Sequence, residues 1–321
     1  MTNADQLEQQ ATHHAPVLPT ESIDALAVRS DGLYVDCTFG RGGHSKEILN
    51  RLGQNGKLLA IDKDEAALAS DNCQQLLKDS RFDIEHGSYA ELNRFIKQRD
   101  WIGQVDGVLM DLGVSSPQLD DAQRGFSFMH DGPLDLRMDQ TQGISAAQWL
   151  AQVLESELKK VLRELGEERF AGRIANAIVT SRQDNPIIST LQLAKLVEQA
   201  VPRRERNKHP ATRTFLAIRL LVNHELDELQ QCLPQVIEVL KTGGRMAVIS
   251  FHSLEDRIVK RFIRDQSSPG DTGLMGCEPI SNPPRLKKTG KIIRASVAEL
   301  KANPRSRSAI LRVAERTSVC V

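Results

Sequence analysis

Short apolar runs that end in an acid or a glycine, each followed by a helical period, recur through the first third of the chain. The pattern predicts a helix over 20–28, a strand over 33–37, a helix over 44–52 and a strand over 57–62. A helix over 65–77, a strand over 82–87, a helix over 91–99 and a buried strand over 105–111 follow. Regular alternation of this kind implies an α/β fold with a parallel, doubly wound sheet.

The next convincing strand comes only at 245–250, far beyond the single helix a crossover needs. The interval is helical in period, with helices expected over 146–154, 157–166, 168–181 and 190–201. It reads as an all-helical domain, 131–210, inserted into a sheet domain made of 13–130 and 211–321. A helix over 211–229 would lead back to the sheet, and strands near 291–294 and 309–315 would close it as an antiparallel hairpin. Residues 1–12 are polar and read as a disordered extension, and 266–290, rich in Gly, Pro and Ser, as a mobile surface loop.

Composition narrows the class. Of 321 residues, 40% are hydrophobic and 26% charged, as in a soluble globular protein, and no apolar run approaches a membrane span. Five scattered cysteines without a Cys-x-x-Cys pair argue against a disulfide framework or a metal cluster and suit a cytoplasmic setting. Net charge is zero but uneven: residues 201–321 hold 22 Lys+Arg against 12 Asp+Glu, leaving 20 against 30 in residues 1–200. The basic part includes Arg203, Arg204, Arg206, Lys208 and Arg213, then Arg257, Lys260, Arg261 and Arg264, then Arg285, Lys287, Lys288, Lys291 and Arg294. Such clustering suits the phosphates of a polyanion, although charge runs are commonly solvated helix faces.

The chemistry begins at Asp36-Cys37-Thr38-Phe39-Gly40-Arg41-Gly42-Gly43-His44-Ser45. A strand ends in an acid and turns through glycines into a helix, which brings backbone close to an adenosine-bearing cofactor. A dinucleotide fingerprint would want glycine where Ser45 stands, and a phosphate-binding loop would want a lysine that is missing here. Asp36 before the turn favours a ligand carrying a cation, and S-adenosylmethionine carries both an ammonium and a sulfonium. Asp62, about twenty residues on, is spaced for ribose hydroxyls. Alternatively, Asp36 and the glycines merely shape a loop.

A second constellation follows the strand over 105–111. Asp111 would stand at the switch point where such sheets bind ligands. The loop beyond carries Arg124, Phe126, Phe128 and Arg137. Its two rings could stack a displaced base, or only pin the loop onto the insert. After 245–250, His252 and Ser253 could face the reacting centre, or Ser253 could simply cap the helix that follows.

Taken together, the chain resembles the 16S ribosomal RNA cytosine-N4 methyltransferases, a class I S-adenosylmethionine-dependent family. The resemblance rests on His14 to Leu18, Asp36 to Ser45, Asp111 to Leu119, Arg124 to Met138, His209 to Phe215 and Ser250 to Arg257. It implies a Rossmann-like methyltransferase sheet and methylation of one cytidine in the decoding region of small-subunit rRNA. It also implies that Gly42, Gly43, His44, Asp62, Tyr89, Asp111 and Gln118 hold the cofactor. Tyr89 stands where phenylalanine is common, and Cys37 where glycine is frequent.

For methyl transfer to an amine, Asp111 is the first candidate to position the nucleophile and His252 the second. Methylation at cytosine C5 would call for a cysteine nucleophile, commonly after proline, and no cysteine here follows one. Phe126, Phe128, Arg137, Arg203, Arg204, Arg213 and Ser253 are candidate substrate contacts; no metal is expected. The expected partners are small-subunit rRNA, naked or within an assembled 30S particle, and a second copy of the chain. Two other classes share features with this reading: a nicotinamide-dependent oxidoreductase and a non-catalytic RNA-binding assembly factor.

Overall fold

Strands in this chain alternate their side chains between two apolar layers, which dictates a sheet covered on both faces. The computed structural model describes residues 16–202, 209–268 and 283–318. The strands are β1 (Leu33–Asp36), β2 (Lys57–Asp62), β3 (Phe82–His86), β4 (Val105–Asp111), β5 (Leu240–Ser250), β6 (Leu286–Lys288) and β7 (Ile310–Arg316). They form one seven-stranded sheet in the order β3-β2-β1-β4-β5-β7-β6. The first five strands in that order run parallel, and β7 pairs antiparallel with both β5 and β6.

Val35, Leu59, Ile61, Val108, Met110, Met246 and Val248 belong to one buried layer, with helices Leu92–Lys97, Glu225–Val239 and Ser253–Ser267. Tyr34, Leu58, Ala60, Leu109, Ala247 and Ile249 belong to the other, with helices Pro19–Leu26 and Gly43–Arg51. The walk along the chain goes outward from β1 to β3 and then resumes on the other side at β4. The switch point therefore lies between the carboxyl ends of β1 and β4.

The chain separates into two compact units: one of the described residues up to Gly113 with those from Leu226 onward, the other Val114–Glu225. The helical unit is thus wider than the expected 131–210. Its core takes in Phe126 before that span and Phe215, Ala217 and Ile218 after it. The expected helix over 211–229 is two helices, Thr212–Val222 and Glu225–Val239, divided where His224 adopts φ 52°. The first belongs to the helical unit.

Two further expectations change. The first strand of the antiparallel pair is Leu286–Lys288; near 291–294 only Ile293 forms a bridge, to Leu311. That strand also occupies part of the expected loop over 266–290, of which 269–282 lie outside the described residues, as do 1–15. The helix expected over 65–77 breaks into Glu65–Leu68 and Asp71–Leu76, the second capped by the Ser70 hydroxyl.

In the helical unit the loop after residue 124 is tied down by a buried amide. Asn223 accepts from the Met138 N–H at 2.7 Å and donates to the carbonyls of Leu136, at 2.7 Å, and Arg219, at 2.9 Å. Asn223→Ala would leave these loop groups without those partners. The expected loss is about 2–4 kcal/mol of stability, read as a lower denaturation midpoint.

Candidate active site

The loop from β1 to helix Gly43–Arg51 is built around one buried carboxylate. Asp36 is fully buried; its Oδ2 accepts from the Ser45 hydroxyl at 2.7 Å and its Oδ1 from the Thr38 N–H at 3.1 Å. Ser45 therefore stands where a dinucleotide fingerprint would have glycine because it holds the acid that shapes the turn. Gly42 sits at φ 74°, and a Cβ there would lie 2.8 Å from the Phe39 ring. A Cβ on Gly43 would meet Pro16 at 3.0 Å.

Thr38 also reaches across the switch point: its Oγ1 accepts from the Asp111 N–H at 2.6 Å. The ends of β1 and β4 are thereby locked together. On the other flank, Asp62 Oδ2 accepts from the Gly40 N–H at 2.7 Å and Oδ1 from the Asp64 N–H at 2.9 Å. The Gly87 N–H donates to the Asp62 carbonyl at 2.9 Å, which puts Tyr89, half-buried in a short 3-10 turn, just past the end of β3.

Three acids, Asp36, Asp62 and Asp111, thus occupy the carboxyl ends of β1, β2 and β4, three neighbouring strands. Burial pushes Asp36 above the usual carboxylate range, against the pull of His44 and the hydrogen bonds from Ser45 and Thr38. Burial pushes Asp62 up to about 6, only partly offset by the N–H groups of Asp64 and Gly40. Burial alone would lower the His44 imidazole, but the facing Asp111 carboxylate, and then Asp36, hold it above its ordinary value. His44 Nε2 lies 3.4 Å from Asp111 Oδ2, an approach of charges without hydrogen-bond alignment.

Four buried polar atoms on this rim have no hydrogen-bond partner among the described residues: Asp111 Oδ1, His44 Nδ1 and Nε2, and Ser250 Oγ, the last at the end of β5. A buried carboxylate oxygen without a donor is costly, and it marks a place where a ligand N–H or cation is stabilised. Acids on adjacent strand ends also raise one another's cost of ionisation, which a bound cation relieves. The residues present therefore fit a cationic cofactor: a tight glycine turn at the end of β1, and carboxylates at the ends of β1, β2 and β4 for a positive charge.

The other expected residues make the following contacts. His252 is the N-cap of helix Ser253–Ser267: its Nδ1 accepts from the Glu255 N–H at 3.5 Å, and its Nε2 lies 3.0 Å from Glu255 Oε1. His252, not Ser253, therefore caps this helix; Ser253 is its exposed first residue. Gln118 belongs to the helical unit, where its Oε1 accepts from the Ser115 N–H at 2.9 Å in a capping box.

Phe126 is a buried core side chain with the Arg124 guanidinium 5.7 Å from its ring centre. Phe128 packs 4.6 Å from the His209 ring and 4.9 Å from Phe215. Both rings pin their loop to the helical unit. Arg137 pairs with Asp135 through contacts of 2.7 and 3.0 Å, and Arg213 is half-buried on helix Thr212–Val222. Arg203, Arg204 and Arg206 lie outside the described residues.

Two participants escaped the sequence reading. Glu299, whose Oε1 accepts from the Leu18 N–H at 2.7 Å, also acts through space on His44 from more than 250 residues away. Thr38 gives no sign in the sequence that it bridges to β4. Among the described residues no group of three or more potential metal ligands occurs, and no helix is long and apolar enough to cross a membrane.

Comparison with known proteins identifies what this geometry is similar to. Residues 11–317 match the model of the MraW methylase family. A protein of Methylococcus capsulatus named ribosomal RNA small subunit methyltransferase H is 57% identical over 297 residues, covering 92% of this chain and 98% of its own length. Proteins of the same name from Hydrogenovibrio crunogenus and Coxiella burnetii are 54% and 53% identical, each over 95% of this chain and 97% and 99% of their own lengths.

Gly42→Ala would force a left-handed φ onto a residue with a Cβ and drive that atom into Phe39. A loss of about 1–2 kcal/mol is expected from the backbone alone, seen as a lower midpoint in denaturant with an unchanged slope.

Proposed function

The chain belongs to the MraW methylase family, and we propose that it methylates the exocyclic N4 amine of one cytidine in the decoding region of small-subunit rRNA. The methyl donor is S-adenosylmethionine, which supplies an electrophilic methyl group on a sulfonium. The observation that carries this reading is the rim of three carboxylates around the switch point, one of them with an oxygen that lacks a donor among the described residues.

Gly42 and Gly43 form the tight first turn beside the cofactor, their missing side chains giving way to Phe39 and Pro16, and Asp62 accepts from the ribose hydroxyls. Tyr89 lines the adenine side at the end of β3. The carboxylates favour a cation over a pyrophosphate, which supports this reading over a nicotinamide-dependent oxidoreductase.

An exocyclic cytosine amine is a poor nucleophile because its lone pair is shared with the ring. Asp111 Oδ1, which has no donor among the described residues, accepts a hydrogen bond from that amine, orients the nitrogen lone pair and receives the proton that the nitrogen loses when it bonds to carbon. His44, whose imidazole the facing Asp111 carboxylate draws toward its charged form, lies 3.4 Å from Asp111 Oδ2 and helps hold that side chain in place. His252 serves the turn after β5, since both of its ring nitrogens face Glu255.

Cysteine chemistry at C5 has no support among the described residues. Cys37, Cys73 and Cys232 are all buried. The Cys37 thiol is held well above its ordinary value by its contact with Cys232 and by burial, and burial raises Cys73 as well. Thiols of that kind are poor nucleophiles. The target base must be unpaired or extruded to present its amine to such a cleft.

Incubation with small-subunit rRNA or 30S particles and labelled methyl donor, followed by nucleoside mapping, is expected to show one N4-methylated cytidine. Label at C5, on another base or nowhere would overturn the assignment. Asp111→Asn keeps the shape but removes the charge, and kcat should fall about a hundredfold or more with the denaturation midpoint preserved. Normal turnover would remove Asp111 from the mechanism.

Asp62 titrates at about 6, so its accepting carboxylate form is lost as pH falls through that value. Cofactor affinity measured by calorimetry is expected to rise with pH up to about 6 and then level off. In Asp62→Asn that dependence should vanish and affinity fall about tenfold or more.

A further inference from the structure

Basic residues far apart in the sequence converge in the sheet unit, away from the acidic rim. Helix Ser253–Ser267 packs against β6 and β7, and a hollow of about 330 Å³ opens where they meet. Buried Ile263 and Val313, each 5% exposed, and Ile292, 42% exposed, supply its apolar surface. Its lining also includes Lys260, Arg264, Lys288, Lys291 and Arg312, and no carboxylate among the described residues. Described acids close to it in sequence are engaged: Asp256 is held by Arg312 through contacts of 2.7 and 3.0 Å, Asp265 lies 2.7 Å from Arg264, and Glu315 lies 3.0 Å from Arg245.

Lysines on an edge strand deter pairing with other chains, and β6 is an edge strand with Lys287 and Lys288. That accounts for neither Lys260, which lies on the helix, nor Lys291, which lies in the segment after β6, nor an apolar floor between them. The volume is within the roughly 300–1,000 Å³ of pockets that hold one small organic group.

We propose that this hollow is a second RNA-holding site, remote from the methyl-transfer centre. The base or ribose of one unpaired nucleotide rests on the apolar surface of Ile263, Ile292 and Val313, while Lys260, Lys288 and Lys291 neutralise the phosphates on either side. The inference rests on RNA being the substrate. It assigns to the basic carboxyl-terminal half a grip on the strand that leaves the cofactor site unchanged.

The test uses the full chain, a small-subunit rRNA fragment and the variant carrying Lys260→Ala, Lys288→Ala and Lys291→Ala. Polarisation binding at several salt concentrations is expected to show RNA affinity reduced about tenfold or more at low salt. The slope of log affinity against log salt should become shallower by about 2, as for three single-strand phosphate contacts at ~0.7 each. KM for RNA should rise while kcat and calorimetric cofactor affinity hold, and the corresponding Lys→Arg triple variant should bind like the original.

Unchanged RNA affinity and slope in the alanine variant would overturn the proposal, and a wild-type chain that still methylates rRNA would then leave the functional reading standing. A wild-type chain that neither binds nor methylates the fragment would overturn both. Loss of affinity for an acidic polypeptide with no loss for RNA would make the hollow a protein-docking site and overturn it too.

Discussion

Parallel strands that part company at a switch point leave backbone groups without ladder partners, and something in the loops must satisfy them. Here the Thr38 hydroxyl does so, accepting from the Asp111 N–H at 2.6 Å. On the same short loop, Asp36 accepts from Ser45 and from the Thr38 backbone, and Asp62 accepts from Gly40. Side chains of β1, β2 and the glycine turn therefore hold one another and the end of β4. The positions of the acids on the rim follow from that small network, so the rim is held by the protein's own contacts.

The same arrangement carries an electrostatic cost. Burial and mutual repulsion raise Asp36 and Asp62, and the imidazole of His44 is drawn toward its charged form by Asp111. Without a ligand, the rim compensates by favouring protonation. With a cation present, the ionised carboxylates become the stable form, which couples ligand charge to proton release. A neutral or anionic ligand would bring no such relief, which is why charge discriminates among adenosine cofactors here more sharply than the glycine spacing does.

Much of this was legible in the sequence. The β-α alternation, the order in which acids appear at strand ends and the helical insert all follow from apolar periodicity, which reports burial directly. Asp62 and Asp111 could be singled out because an acid closing an apolar run is unusual and the topology says where such a position lies. What the sequence did not disclose depends on long-range pairing. Glu299 reaches the Leu18 N–H and the vicinity of His44 from the other end of the chain. Phe126 and Phe128 could be read either as stacking platforms or as pins for their loop, and the sequence could not decide; both pack in the helical unit, Phe126 in its buried core and Phe128 against His209 and Phe215. The insert was read too narrow for a related reason: helix Thr212–Val222 carries an apolar face suited equally to sheet or bundle, and only packing decides between them.

The zero net charge of the chain conceals a division of labour within the sheet unit. The acidic strand ends belong to β1, β2 and β4, whereas the cationic hollow belongs to β6, β7 and the helix after β5. The two antiparallel strands extend the sheet beyond β5 and so provide a surface whose charge can be set independently of the cofactor site. A cationic cofactor and an anionic polynucleotide place opposite demands on one protein; if the two charge patterns overlapped, each would weaken the other's ligand. On the proposed reading, separating them by strand order would let long-range attraction gather the nucleic acid without discharging the carboxylates at the ends of β1, β2 and β4. The antiparallel addition to an otherwise parallel sheet thus has a physical use that the cofactor site alone would not require.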